Sequence, residues 1–287
     1  FPMRCIGVPK TIDNDLPHTD HTPGYGSAAK YNATTVMEVA QDVASMATDD
    51  GSCCMIEVMG RAAGWLAAGT VLAKRKPNDG PHIILMPEIP LNEEAFLTKV
   101  KEIVDQLGYC IVVVGEGIKD MDGNELGADK TRLDSFGHPV LSGAAEALGE
   151  IVHGKLDLKT RTVKLGYAQR AAAHFASQQD VDEAVACGRA AVRAAVEGKS
   201  GFMVTLERRA DDPYQYSTGL HPLGDIALVE RTVPREWISE DGWLPNEQFI
   251  RYAAPLVRGR LDLPTKGGLP KFAELSRVPV EKVLDPR

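Results

Sequence analysis

Short β-branched runs alternate with longer alanine-rich stretches along most of this chain, and that alternation restricts the fold more than any other feature. The strand-like runs are Arg4 to Val8, Cys53 to Val58, His82 to Met86, Tyr109 to Val114, Thr162 to Leu165 and Phe202 to Leu206. Helical patterning covers Ser27 to Met46, Arg61 to Lys74, Glu93 to Leu107, Pro139 to Val152, Val181 to Glu197 and Glu247 to Val257. Runs of this kind are buried on both faces when helices cross between parallel strands, so an α/β fold with mainly parallel sheets is expected. Asp180 with Glu183 reads as a capping box, and Gly198 as the helix stop. Turn-rich breaks fall at Pro17 to Gly26, Lys119 to Arg132 and Ala210 to Leu223, with no internal repeat. From Leu261 onward periodicity fades and prolines accumulate, as in a surface-wrapping or partly mobile tail.

A length of 287 residues, 44% of them hydrophobic and 25% charged, provides for sizeable cores in one large or two ordinary domains. Thirty-two basic against 40 acidic side chains give a net charge of −8, and no Lys/Arg block occurs. Nucleic-acid and anionic-membrane partners are therefore not expected, and any anionic ligand must be held by a local cluster. No apolar run approaches the roughly 20 residues of a membrane span. Cys5, Cys53, Cys54, Cys110 and Cys187 are odd in number and lack CxxC spacing, which reads as buried free thiols in a reducing cytoplasm. His18 and His21 flank Asp20 in a proline-bounded loop and read as a solvated turn, not a metal site. His174 and His221 stand alone, and Trp65, Trp237 and Trp243 are too scattered to make a base-stacking platform.

The chemistry concentrates in Lys10-Thr11-Ile12-Asp13-Asn14-Asp15, at the carboxyl end of the first strand-like run, where ligands collect in parallel sheets. A cation, a hydroxyl and two carboxylates in six residues are what phosphoryl transfer asks of a protein. Asp13 would orient and deprotonate the attacking hydroxyl, ionised at neutral pH by its reference pKa of about 3.9. Asp15 would hold hydrated Mg2+, directly or through water, and Lys10 would face the phosphate. An Asp/Asn turn closing a βα loop is the plain structural alternative.

Pro-Lys-Thr-Ile-Asp-Asn-Asp strongly resembles the phosphofructokinases, particularly their pyrophosphate-dependent branch, and further segments agree in order from residue 4 to about 257. The resemblance implies that Met59, Gly60 and Arg61 receive the reacting end of the sugar phosphate, with Arg61 offsetting transition-state charge. It makes Thr11, Ile12 and Asp13 substrate contacts and Glu116 an acceptor for sugar hydroxyls, its flanking glycines leaving room for the substrate. It assigns the 6-phosphate to Tyr167 and Arg170, and to Arg161 reaching from a neighbouring subunit, which implies a homodimer or homotetramer. The implied fold is two Rossmann-like three-layer domains with the active site in the cleft between them. Residues 1–25 and 170–225 would belong to a discontinuous donor-phosphate domain, 26–169 would bind fructose 6-phosphate, and 226–287 would form C-terminal helices and a tail.

Ser52 stands where many relatives carry a second cross-subunit arginine, and Ala171-Ala172-Ala173-His174 replaces the usual glycines. Glu88, which matches an effector-site residue of regulated relatives, reads as structural. The resemblance implies transfer from pyrophosphate to the 1-hydroxyl of fructose 6-phosphate in glycolysis, reversible in principle. The donor assignment rests on Lys10, Tyr167 and the alanine run; ATP is the alternative donor. A non-catalytic subunit is a further alternative, against which the retention of Asp13, Asp15 and Arg61 weighs. The motif lies so near residue 1 that donor-phosphate loops are expected to precede the sequence, and the 287-residue chain alone is expected to turn over negligibly.

Overall fold

Ser52–Val58 is buried at all seven positions, the mark of a strand covered on both faces. The computed structural model describes residues 3–133, 139–141, 143–279 and 281. Its strands are β1 (Ile6–Gly7), β2 (Ser52–Val58), β3 (Ile83–Leu85), β4 (Tyr109–Gly115), β5 (Ala128–Leu133), β6 (Pro139–Leu141), β7 (Lys159–Lys164), β8 (Phe202–Asp211), β9 (Tyr214–Pro222), β10 (Thr265–Lys266) and β11 (Leu269–Pro270). The helices are α1 (Tyr25–Ser45), α2 (Trp65–Gly69), α3 (Glu93–Leu107), α4 (Ala144–Leu156), α5 (Ala168–Ala171), α6 (Gln178–Val196) and α7 (Glu247–Ala253).

The larger sheet has the order β3-β4-β2-β7 and every pairing in it is parallel. Because successive side chains of a strand point to opposite faces, β2 and β4 each feed two cores. Cys54, Ile56 and Val58 with Ile111 and Val113 pack against α1, α2 and α7, around Trp65 and Phe249. Cys53 and Met55 with Cys110, Val112 and Val114 pack against Phe96 and Val100 of α3 and Leu148 and Val152 of α4. The second sheet is β1-β8-β9. Ile6 and Gly7 pair in parallel with Phe202 and Met203, and β8 and β9 form an antiparallel hairpin. Helix α6 covers it through Cys187 and Ala191 against Val204 and Leu206. The α/β class and the mainly parallel pairing agree with the alternation in the sequence.

Several boundaries differ for identifiable reasons. The helix expected from Pro139 begins only at Ala144; Pro139–Leu141 pairs antiparallel with β5, and the Glu57 carboxylate accepts the amides of Gly143 and Ala145 at the helix start. The helix expected from Arg61 starts at Trp65 and narrows to a 3-10 turn over Thr70–Ala73. Ala210 to Leu223 is not a break but largely β9, whose Tyr214, Tyr216, Thr218 and Leu220 alternate along the strand. The capping box at Asp180 is absent. Ser177 caps α6, while the Asp180 carboxylate accepts the amides of Gly24 (2.8 Å) and Ser27 (3.1 Å), tying α6 to the start of α1. Beyond residue 261 the chain carries the small β10–β11 hairpin.

Four cysteines are free and buried, as expected, but Cys5 precedes the two-residue β1 and is exposed. His21 is not solvated. It is fully buried, its Nδ1 2.7 Å from Asp20 Oδ2 and its Nε2 2.6 Å from Glu183 Oε2. Burial alone would push the imidazole pKa down, yet the two carboxylates outweigh it and raise it. Asp20, which Arg208 also grips through two nitrogens, falls to about 2, hydrogen bonds and charge overcoming its burial. Among the described residues no helix is long and apolar enough to cross a membrane.

The entry to α1 presses against the turn after α7, where a Cβ added to Gly26 would run into the carbonyl of Leu256. Gly26→Ala should therefore cost about 1–3 kcal/mol of stability, read as a lower urea midpoint. An unchanged midpoint would show that the two segments part freely.

Candidate active site

The first sheet and the second each send a strand end to one place. From β1 the chain runs through buried Pro9 to the exposed Lys10 and then to Thr11, which bridges to Gly24. Thr11 Oγ1 accepts the amide of Asp13 (3.0 Å) and donates to Asp13 Oδ2 (3.3 Å), fixing the carboxylate over its own backbone. Asn14 follows with φ 56°, a left-handed conformation that Asn tolerates better than most residues. Fully buried, it donates Nδ2 to Tyr252 Oη (2.9 Å) and accepts the Thr22 amide at Oδ1 (3.1 Å). Burial raises the Asp13 pKa above the reference value used in reading the sequence, and the nearby Asp15 charge raises it further. The Thr11 hydrogen bond and the charges of Arg170 and Lys10 oppose that rise.

The larger sheet supplies the other wall. Gly60, at φ 127°, follows the end of β2, where a Cβ would lie 2.6 Å from the Ala63 carbonyl; its amide donates to Glu116 Oε1 (3.4 Å). Glu116 lies just past β4, its amide bonded to the Val58 carbonyl. Burial pushes its pKa up to about 6; the Gly60 amide and Arg61 act against this, while Glu57 and Asp13 add to it. Asp13, Glu116 and Arg61 thus share one electrostatic neighbourhood although they come from three strand ends. Arg61, one-third exposed, also lies 4.0 Å from Glu125. Gly117 has a backbone reason of its own: a Cβ there would collide with the carbonyl of Arg61.

The turn after β7 closes the third side. Met59 donates its amide to Gln169 Oε1 (3.2 Å), and the same oxygen accepts from Asn32 Nδ2 (3.1 Å). Gln169 is almost fully buried, which leaves Tyr167 and Arg170 facing outward with the guanidinium 5.7 Å from the ring centroid. Ile12, Arg170 and Ala171–Ala173 line a cleft of about 240 Å³. Arg161 stands apart from this group. It sits in edge strand β7 opposite Cys54, with Nη2 4.0 Å from Met46 Sδ. Ser52 is buried at the start of β2. Glu88 accepts the amides of Gly64 and Val233, both at 2.8 Å, in keeping with a structural reading.

The phosphofructokinase family profile matches residues 2–195 of this chain. The chain belongs to the phosphofructokinase family. It is 43% identical over 284 residues to the pyrophosphate–fructose 6-phosphate 1-phosphotransferase of Halomonas elongata, covering 99% of this chain and 68% of that protein. To the enzyme of the same name from Xanthomonas campestris it is 44% identical over 285 residues, with 99% and 68% covered. The crystal structure of the pyrophosphate-dependent phosphofructokinase of Marinobacter aquaeolei matches with a TM-score of 0.89 at 40% identity, again over 99% of this chain and 68% of that one. Within this phosphofructokinase, Asp13 feels the charges of Lys10 and Arg170 and in turn acts on Glu116, which also feels Arg61, whereas Arg161 stands apart on β7. Asn14, Gln169 and Arg231, which hold the backbone around these groups, were not picked out from the sequence. Asn14 had a signal in its Asp-Asn-Asp context, whereas Arg231 had none.

Because the folded protein keeps the Glu116 proton more tightly than the unfolded chain, stability should fall as pH rises from about 4.5 to about 6 and this contribution should be flat above that. Glu116→Gln should remove it, so the variant's urea midpoint should gain on the parent's across that window. A pH-independent difference between the two would contradict the burial of this carboxyl.

Proposed function

We propose that this chain transfers a phosphoryl group from pyrophosphate to the 1-hydroxyl of fructose 6-phosphate, the activity named for its relatives. The observation that carries this reading is Asp13, held by Thr11 within electrostatic reach of Arg170 on one side and Glu116 on the other. In the reaction the C1 oxygen bonds to phosphorus, the bridging P–O bond breaks, inorganic phosphate leaves and the hydroxyl proton passes to Asp13. A base with a pKa raised toward neutrality suits that proton transfer. Arg61 and Lys10 steady the moving charge, Thr11, Ile12, Met59 and Gly60 shape the sugar's reacting end, and Glu116 accepts sugar hydroxyls. Tyr167 and Arg170 grip the 6-phosphate, for which the guanidinium fork is suited. Arg161, on an exposed sheet edge, fits a contact with a neighbouring subunit, so a homodimer or homotetramer is part of the proposal. Residues 1–25 and 170–225 form the donor-phosphate unit and 26–169 the sugar-phosphate unit, with 226–287 as C-terminal helices and tail. Free buried thiols suit a reducing, cytoplasmic setting.

Two carboxylates as close as Asp13 and Asp15 suit Mg2+, which takes few protein ligands and keeps water and phosphate oxygens around it. Asp15 would hold the hydrated ion. Bound there, the metal supplies charge neutralisation on the phosphates.

Steady-state assays of the complete protein with each donor test the reading directly. Pyrophosphate should support turnover; turnover with ATP alone would assign the other donor. Asp13→Ala should lower kcat by about 10²–10⁴-fold with little change in sugar-phosphate binding. A rise in KM alone would make Asp13 a binding residue. Lys10→Gly should harm pyrophosphate use more than ATP use, and equal harm would remove its role as a selector.

A further inference from the structure

Arg231 belongs to no motif and lies beyond the residues that the family profile matches, yet it grips the backbone that follows Asp13 at four carbonyls, those of Asn14, Asp15, Thr19 and Asp20. Its Nε and Nη2 donate to the carbonyl of Asn14 (3.3 and 3.0 Å), and its Nη1 donates to those of Thr19 (2.9 Å) and Asp20 (2.6 Å). Its own amide donates to the carbonyl of Asp15 at 2.7 Å. The guanidinium carbon lies 4.5 Å from the centre of the buried Trp65 ring, and Trp65 Nε1 donates to the Arg231 carbonyl at 2.8 Å. Nη2 also reaches Tyr252 Oη, the group that receives the Asn14 side chain.

From this geometry we propose that Arg231 is a positioning residue for phosphoryl transfer, acting through the Asn14 peptide to set the Asp13 and Asp15 carboxylates. A planar fork is needed because carbonyls on two stretches of one loop must be held at once, which a lysine ammonium cannot do from a single point. Two donors on the Asn14 carbonyl fix the plane of the 14–15 peptide, from which Asp15 departs directly, and with Asn14 held at φ 56° the same anchor orients the 13–14 peptide that carries Asp13. The argument rests on Asp13 being the base, as proposed above.

The test is Arg231→Gln and Arg231→Lys in the complete protein, with Asp13→Ala alongside. Assays are run well below each melting midpoint. Misplacing a reacting group by about 1 Å can cost on the order of 100-fold, so kcat of Arg231→Gln should drop by up to about that factor with KM for fructose 6-phosphate nearly unchanged. Amide hydrogen exchange over residues 13–22 should quicken, a readout that needs no turnover. Arg231→Lys should recover the melting midpoint more fully than kcat. Should Arg231→Gln not fold, Trp65→Phe removes the indole donor while keeping an aromatic core; a lowered kcat with faster loop exchange supports the proposal. A lower melting midpoint with unaltered kcat and loop exchange, in either variant, would reduce Arg231 to a structural residue. If Asp13→Ala abolishes turnover while Arg231→Gln is fully active, only the positioning role falls. If Asp13→Ala keeps full turnover, the assigned base falls first and the role of Arg231 with it.

Discussion

Everything at the mouth of the two sheets depends on one left-handed residue. Asn14 adopts φ 56°, and without partners its buried amide and carbonyl would make that conformation costly. Tyr252, Thr22 and Arg231 satisfy those groups, so the backbone reverses there and Asp13 and Asp15 lie near one another. Residues separated by one are near in any backbone, and the hydrogen bonding around Asn14 holds the particular turn in which Asp15 acts on Asp13.

The same economy appears in the sheets. Alternation along β2 and β4 lets two strands organise both cores, and the strand ends, paired at Val58 and Gly115, then emerge side by side. Glu57 shows how tightly chemistry and architecture are joined. It caps α4 through the amides of Gly143 and Ala145 while its charge helps raise Glu116. A substitution there would disturb helix and site together.

Much of this was legible in the sequence. Buried strands of a parallel sheet announce themselves as unbroken apolar runs, so β2, β3 and β4 were found, and the Lys10–Asp15 run, Met59-Gly60-Arg61, Glu116 and Tyr167–Arg170 stood at strand ends as expected. Pro139–Leu141 misled because alanine-rich patterning downstream extended the apparent helix across a proline that pairs in a ribbon. Asp180 misled because its carboxylate is bound by α1, a partner no local pattern reveals. His21 looked solvated for the same reason, its second carboxylate lying 162 residues away in the chain. Long-range polar contacts leave no periodic trace, and the groups that hold the site are mostly of that kind.

The contact between Arg231 and Asn14 joins residues 217 positions apart. During synthesis on a ribosome, the loop bearing Asp13 therefore emerges long before its brace exists, and the larger sheet has time to assemble in the interval, since chain growth adds only about 5–20 residues per second. The Asn14 carbonyl gains its guanidinium partner only when the late segment docks. A nascent or prematurely terminated polypeptide can own a folded sheet and every motif residue and still lack that brace.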